Sequence, residues 1–197
     1  MSKQLWKPGN MLYPLPAVLV SCGDKAGNYN VLTVAWTGTI CSDPAMVYVS
    51  VRKNRYSYNI IKNTGEFVIN LTTRKLAYAT DWCGVKTGAK VDKFKEMHLT
   101  KENGSFVKCP LIKESPVSIE CKVREIKEMG SHDMFIADIL SIDADEEYID
   151  EKGAFDITKC DLIAYANGKY FVLGKQIGKF GYSVQKKKSH TKSNKFM

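Results

Sequence analysis

Hydrophobic and polar positions alternate with a period of two along much of the chain. Val117, Ile119, Cys121 and Val123 fall on one side of a run ending at Ile126, with Ser118, Glu120, Lys122 and Arg124 on the other. That pattern predicts a half-exposed antiparallel strand. Ala17–Cys22 is a short β-rich run, and Gly23–Asn28 is a polar turn after it. A strand is predicted over Asn30–Cys41, ended by Asp43-Pro44, and another over Met46–Val51. Strand, turn, strand, turn, strand reads as an antiparallel meander. The period then changes: Tyr56, Ile60 and Asn63 share a helical face, and Thr64-Gly65 stops that helix. Glu66–Leu71 returns to strand and Arg74–Trp82 suits a second helix. Residues 83–115 read as irregular, with Gly84, Gly88, Asn103-Gly104 and Pro110. Beyond Gly130-Ser131 a strand runs over His132–Ile142, and Asn167-Gly168 joins Asp161–Ala166 to Lys169–Leu173 as a tight hairpin.

At least seven strands and two or three helices thus share one domain. The elements do not alternate as long helix and strand, which argues against a parallel βαβ sheet. The economical fold is mainly β with short helices. Its sheet is a closed or nearly closed antiparallel barrel, which leaves few exposed edges.

Composition narrows the function. Of 197 residues, 44% are hydrophobic, enough for a core, so disorder throughout is excluded. The formal charge of +8 is concentrated: Lys186, Lys187, Lys188, Lys192 and Lys195 sit in the last twelve residues, which hold no acid. Without them the body carries +3. Residues 1–185 are therefore expected to form the domain, and 186–197 a basic, disordered tail. The body shows no aromatic-rich basic groove, so specific nucleic-acid binding is not expected. No run approaches the roughly 18 apolar residues of a membrane span, and the chain reads as cytoplasmic. The six cysteines form no C-x-x-C pair, and with three histidines a metal site is not expected. Sequence signatures of a Rossmann site, a P-loop, an esterase elbow and a zinc protease are absent. Cys83 opens a glycine-rich stretch and reads as a packed thiol, as His98 reads as structural.

One segment carries chemistry. Arg52-Lys53-Asn54-Arg55 lies between a strand and a helix start, followed by Tyr56 and Ser57. A helix start offers free N–H groups, Ser57 a hydroxyl, and two arginines bidentate contacts, which together suit a phosphate monoester. The same residues also suit an ordinary polar loop with Ser57 as helix cap. Thr33, Val34, Ala35, Trp36 and Thr37 precede it on a strand, where small residues and backbone amides beside a Trp can border a flat ring or simply line a barrel.

Longer motifs decide more. Asn30–Gly38, Asp43-Pro44-Ala45 and Ser50–Ser57 are followed by Gly65–Asn70, Cys83-Gly84-x-x-Thr87-Gly88 and Asp92-Lys93-Phe94. Gly130-Ser131-His132-Asp133 and Gly168-Lys169-Tyr170-Phe171 complete the series. In this order they resemble the flavin reductase-like family of FMN-binding split barrels, which includes flavoredoxins, over residues 10–185. The resemblance implies a homodimer with tightly bound FMN at the subunit interface. It implies that Thr33–Thr37 border the ring, and that Ser50, Val51, Arg52, Arg55, Tyr56 and Ser57 surround the ribityl phosphate. Lys93 reaches the same region, from its own or the partner subunit. The expected activity is an oxidoreductase passing electrons from NAD(P)H or a reduced partner, through FMN, to an acceptor. A non-enzymatic FMN- or haem-binding carrier or sensor on the same barrel is the alternative. The family's Gly-Asp-His order stands here as Ser131-His132-Asp133, so a catalytic part for His132 is expected less than a structural one.

Overall fold

A computed structural model describes residues 2–23 and 26–184 of the chain. The basic tail expected at 186–197 lies outside the described residues. The strands are β1 (Leu15–Pro16), β2 (Val18–Gly23), β3 (Tyr29–Val34), β4 (Thr37–Ser42), β5 (Ala45–Val51) and β6 (Glu66–Leu71). There follow β7 (Lys101–Glu102), β8 (Leu111–Ile112), β9 (Val117–Glu128), β10 (Asp133–Ala144), β11 (Ile163–Ala166) and β12 (Lys169–Val172). Helix α1 spans Tyr56–Thr64, α2 Ala77–Val85 and α3 Lys93–Glu96.

Seven strands form one antiparallel sheet in the order β3-β2-β6-β9-β10-β5-β4. The predicted strand over Asn30–Cys41 is broken: the chain bends at Ala35-Trp36, leaving β3 at one edge of the sheet and starting β4 at the other. The meander is therefore two hairpins, β2–β3 and β4–β5, separated by the whole width of the sheet. A sheet whose edge strands are joined by two residues must curl, because a twisted open sheet of this width holds its edges far apart. The result is an incompletely closed barrel. Ser50 N–H donates to Trp36 C=O at 2.8 Å, extending the β4–β5 ladder to the bend.

The barrel interior takes one side of each strand: Val18, Val20, Leu32, Val34, Val49, Val51, Phe67, Ile69, Cys121 and Phe135. Helix α1 plugs it. Its buried face is Ser57, Tyr58 and Ile61, not the Tyr56–Ile60–Asn63 face that the spacing suggested; Tyr56 is exposed. Gly65 ends the helix in the left-handed region (φ 69°), the conformation glycine adopts most readily. The outer side of β2 and β3 is also covered. Leu19 and Val31 pack under α2 and α3 with Leu76, Ala79, Cys83 and Phe94. This double burial explains the near-continuous apolar run of β2. Helix α2 starts and ends three residues later than expected, since Arg74–Leu76 form a turn. All six cysteines are free thiols, five of them buried.

The outer face of β9 departs from expectation. Ser118 and Glu120 are buried, because the segment 103–112 folds over that side of the sheet. Glu120 accepts backbone N–H groups from Ser105 (2.9 Å), Phe106 (2.8 Å) and Val107 (2.7 Å), so a buried carboxylate anchors the segment. Glu120→Ala would strip these donors of their acceptor at a cost of about 3 kcal/mol. Urea unfolding should show that loss, with Glu120→Gln milder because an amide oxygen still accepts. A loss below about 1 kcal/mol would show that apolar contacts hold the segment.

Candidate functional site

The bend that splits β3 from β4 opens a cleft of about 560 Å³. Thr33, Val34, Ala35 and Trp36 line it on one side, with Ser50, Val51, Arg52 and Arg55 beyond them. Gly84 and Val85 of α2, and Ser131 and His132 from the turn before β10, complete much of the wall. A smaller pocket of about 250 Å³ shares Leu32, Arg52 and Arg55 with the cleft, and adds Asn30, Tyr56, Ser57, Thr87, Gly88 and Lys93. The two cavities thus join at the arginines.

Local sequence explains each placement. Arg52–Arg55 turn from β5 into α1, whose first residue is Tyr56. Arg55 is the cap residue and offers no side-chain cap; Tyr58 N–H donates to Arg55 C=O, which leaves the Tyr56 and Ser57 N–H groups to meet an anion. Ser57 is not the cap. It lies inside the first turn, fully buried, and accepts Asn30 Nδ2–H at 2.6 Å. Among the described residues neither Arg52 nor Arg55 makes a side-chain hydrogen bond or ion pair. Lys53, between them, points elsewhere, to Glu128 (3.2 Å) and Asp133 (3.6 Å).

Lys93 is 3% exposed and donates to Cys83 C=O at 2.6 Å. It lines the pocket from its own chain, so no partner is needed to bring it there. Burial pulls its pKa down to about 8; the Cys83 thiol opposes that, and Arg55 adds to it. Burial likewise pushes the Cys83 thiol up to about 11, which leaves it protonated, unreactive and suited to packing. His132 stacks on Trp36 (ring centroids 6.1 Å apart, planes at 14°) and its Nδ1 is 2.9 Å from Ser131 Oγ. Partial burial, then Arg52 and Arg55, lower its pKa and favour the neutral ring.

Thr37 is the predicted site residue that lines neither cavity. Its hydroxyl donates to Tyr48 C=O at 2.5 Å, inside the sheet. Residues not singled out for the site by sequence reading also contribute. Asn30 orients Ser57, Gly84 lets α2 approach Thr33, where a Cβ would stand 3.3 Å from the Thr33 Cβ, and Gly88 leaves no room for one beside Asn30. Asp81, Tyr165 and Tyr170 form the far wall. The signal for the glycines was their spacing after Cys83, and Asn30 and Tyr170 stand within the family motifs; nothing local marked Asp81 or Tyr165.

Comparison with known proteins now bears on this geometry. The model of the flavin reductase like domain matches residues 11–174. The chain belongs to the flavin reductase-like family. An uncharacterized protein of Archaeoglobus fulgidus is 33% identical over 141 residues, covering 72% of this chain and 78% of its own length. Among solved structures, flavoredoxin of Desulfovibrio vulgaris (Miyazaki F) superposes with a TM-score of 0.87 at 32% identity, over 94% of this chain and 100% of that one. Flavoredoxin from Methanosarcina acetivorans gives 0.83 at 28% identity, over 93% and 100%. The fold is that of the family's split barrels. No helix among the described residues is long and apolar enough to cross a membrane. No group of three or more His, Cys, Asp or Glu side chains among them is placed to hold a metal ion.

The basic end of this family site should respond to pH through Lys93. The lysine is charged below about 8 and attracts an anion; above that value the amine is neutral and the attraction is lost. The neighbouring Cys83 thiol, pushed up to about 11, stays protonated across this range. Sulfate keeps its charge across this range, so its affinity, followed by calorimetry, should fall from pH 7 to pH 9. Lys93→Met should flatten the profile. A flat profile in the unmodified chain would sever Lys93 from anion binding.

Proposed function

We propose that this chain is an FMN-dependent oxidoreductase that takes electrons from a reduced nicotinamide or a reduced protein partner and delivers them to an acceptor. The observation that carries the reading is the pair of unpartnered guanidinium groups at an uncapped helix start, opening onto a cleft of small-molecule size. Two exposed arginines without an acidic partner, beside the buried Lys93, leave a positive charge that a phosphate dianion neutralises. The residues present therefore fit FMN. The names of the two flavoredoxins support the same cofactor.

FMN, when bound, would supply the two-electron chemistry. The protein's part is holding and shielding. Arg52, Arg55, the α1 N–H groups, Ser57 and Lys93 would hold the phosphate, with Ser50, Val51 and Tyr56 along the connecting chain. Thr33, Val34, Ala35 and Trp36 would border the ring; Thr37 supports them from within the sheet. A neutral His132 has one ring nitrogen engaged with Ser131 and the other free for a single hydrogen bond. Stacked on Trp36, it can orient a second ring or exchange one proton with it.

The same reading includes a homodimer. Its support is the apolar surface on the two chain ends: Leu5 (97% exposed), Trp6, Met11 and Leu12 before the barrel, and Ile177, Phe180, Tyr182 and Val184 after it. A soluble monomer rarely leaves so many large apolar side chains in water. A second copy of the chain would cover them. Sedimentation should give a dimer for the natural chain and a monomer for Trp6→Asp/Phe180→Asp. A natural chain that sediments as a monomer removes this part of the reading.

The cofactor itself has a direct test. The purified chain, or the chain reconstituted with FMN, should show flavin absorption that bleaches on anaerobic addition of NADH or NADPH. Bound flavin that no donor reduces would favour a carrier or sensor. A folded, colourless chain that cannot be reconstituted ends the flavin reading. Arg52→Ala/Arg55→Ala should weaken FMN by about a hundredfold and riboflavin hardly at all, since the lost contacts are charge-assisted bonds to phosphate. Equal losses for both would show that the phosphate binds elsewhere.

A further inference from the structure

Among the described residues that line the cleft, Asp81 is the single acid. It projects from α2, and its Oδ1 accepts the Tyr170 hydroxyl of β12 at 3.3 Å, across 89 positions of sequence. Its Oδ2 has no hydrogen-bond partner among the described residues. Tyr170 packs edge-on against Tyr165 (centroids 5.7 Å), which packs against Tyr13 (6.2 Å). The carboxylate is thus held in place by a phenol that is itself held by aromatic packing. The Asp81 carboxylate is exposed on the cleft wall, and its second oxygen is open to a donor on a bound molecule.

Its position within the cavity matters. The phosphate-sized pocket meets the cleft at Leu32, Arg52 and Arg55, whereas Asp81, Tyr165 and Tyr170 line only the cleft. Along α2 the chain runs from Asp81 to Lys86, which lines the pocket; that is roughly 7 Å of helix. The combined cavity is therefore cationic at one end and anionic at the other. Once a phosphate neutralises the arginines, Asp81 is the uncompensated charge that a second molecule in the cleft meets.

We infer that Asp81, oriented by Tyr170, selects the second molecule of this cleft by charge, favouring a planar ring that carries a cation or an N–H donor and rejecting one that carries an anion. The inference rests on the reading that FMN fills the arginine end. An amidinium or amide group places N–H donors on the free carboxylate oxygen, while the tyrosine edges cover the ring. A carboxylate or sulfonate in the same place meets like charge with no donor to offset it. The competing explanation is a strut: the Asp81–Tyr170 bond merely fastens the β11–β12 hairpin to α2. A strut stabilises the fold but ranks no ligands.

Three probes of one shape separate the two: benzamidine, benzamide and benzoate, which are cationic, neutral and anionic and undergo no redox chemistry here. Their dissociation constants are measured by calorimetry or ligand-observed NMR on the FMN-loaded chain, so no turnover is involved. Benzamidine should bind about threefold to tenfold tighter than benzamide, with benzoate weakest, the range of a partly exposed charge pair. Asp81→Asn, close in shape, should bring the three together. Tyr170→Phe should keep the order and narrow the spread, because the carboxylate remains but is no longer fixed. Thermal unfolding of both variants reports the strut's contribution separately. Benzoate binding as tightly as benzamidine, or an unchanged ranking in Asp81→Asn, would overturn the inference. A chain that takes up no FMN overturns the flavin reading alone. The same three probes are then ranked with inorganic phosphate in the arginine pocket, and the same outcomes decide.

Discussion

Everything about this molecule's site depends on two residues that cannot stay in a strand. At Ala35-Trp36 the chain leaves one edge of a seven-stranded sheet and starts its other edge. That forces the sheet to curl and prevents β3 and β4 from pairing as neighbours, while the β4–β5 ladder runs on to the bend through the Ser50–Trp36 backbone bond. The gap left beside that bond is the cleft. A fully closed ladder would satisfy more backbone groups, but it would also fill the space in which Trp36, Ser50 and His132 face one another. Fold and cavity have one cause.

Helix α1 is the second consequence. A barrel split on one side needs a plug, and Tyr58 and Ile61 supply it. The plug's start falls beside the gap, where the chain emerges from β5. Its first residues, Tyr56 and Ser57, therefore line the smaller pocket. Tyr58 ties the arrangement together: its hydroxyl donates to buried Asp133 at 2.5 Å, on the strand that follows His132. The phosphate-sized pocket and the imidazole are thus mounted on two elements joined by one buried bond.

Much of this was legible in the sequence, and the failures have physical reasons. Strands with one wet face announce themselves by alternation, so β9 and β10 were plain, and Asn167-Gly168 named its own hairpin, with both residues at positive φ (47° and 78°). The break at Ala35 was hidden because small and β-branched residues suit a bent and a straight strand equally. The burial of Glu120 was hidden for another reason. Alternation reports what a strand's own side chains prefer, not what a distant segment lays over them, and here 103–112 covers the polar face by hydrogen-bonding to it. The candidate site divides the same way. Arg52, Arg55, Tyr56 and Ser57 lie in one short stretch and could be read together. Asp81 and Tyr170 stand 89 residues apart and meet only in three dimensions.

The net charge of +8 says little about the site; local pairing says more. Three cations sit in four residues at Arg52-Lys53-Asn54-Arg55, next to acids on β9 and β10. If those acids paired with the arginines, the pocket would hold no unsatisfied positive charge. Lys53 prevents this. It takes both Glu128 and Asp133, and Tyr58 occupies the same carboxylate oxygen of Asp133. The nearby negative charge is consumed by the middle cation, and the flanking arginines remain unpaired where the cavities join. Affinity for an anion here depends less on how many basic residues the chain carries than on which of them its own acids leave free.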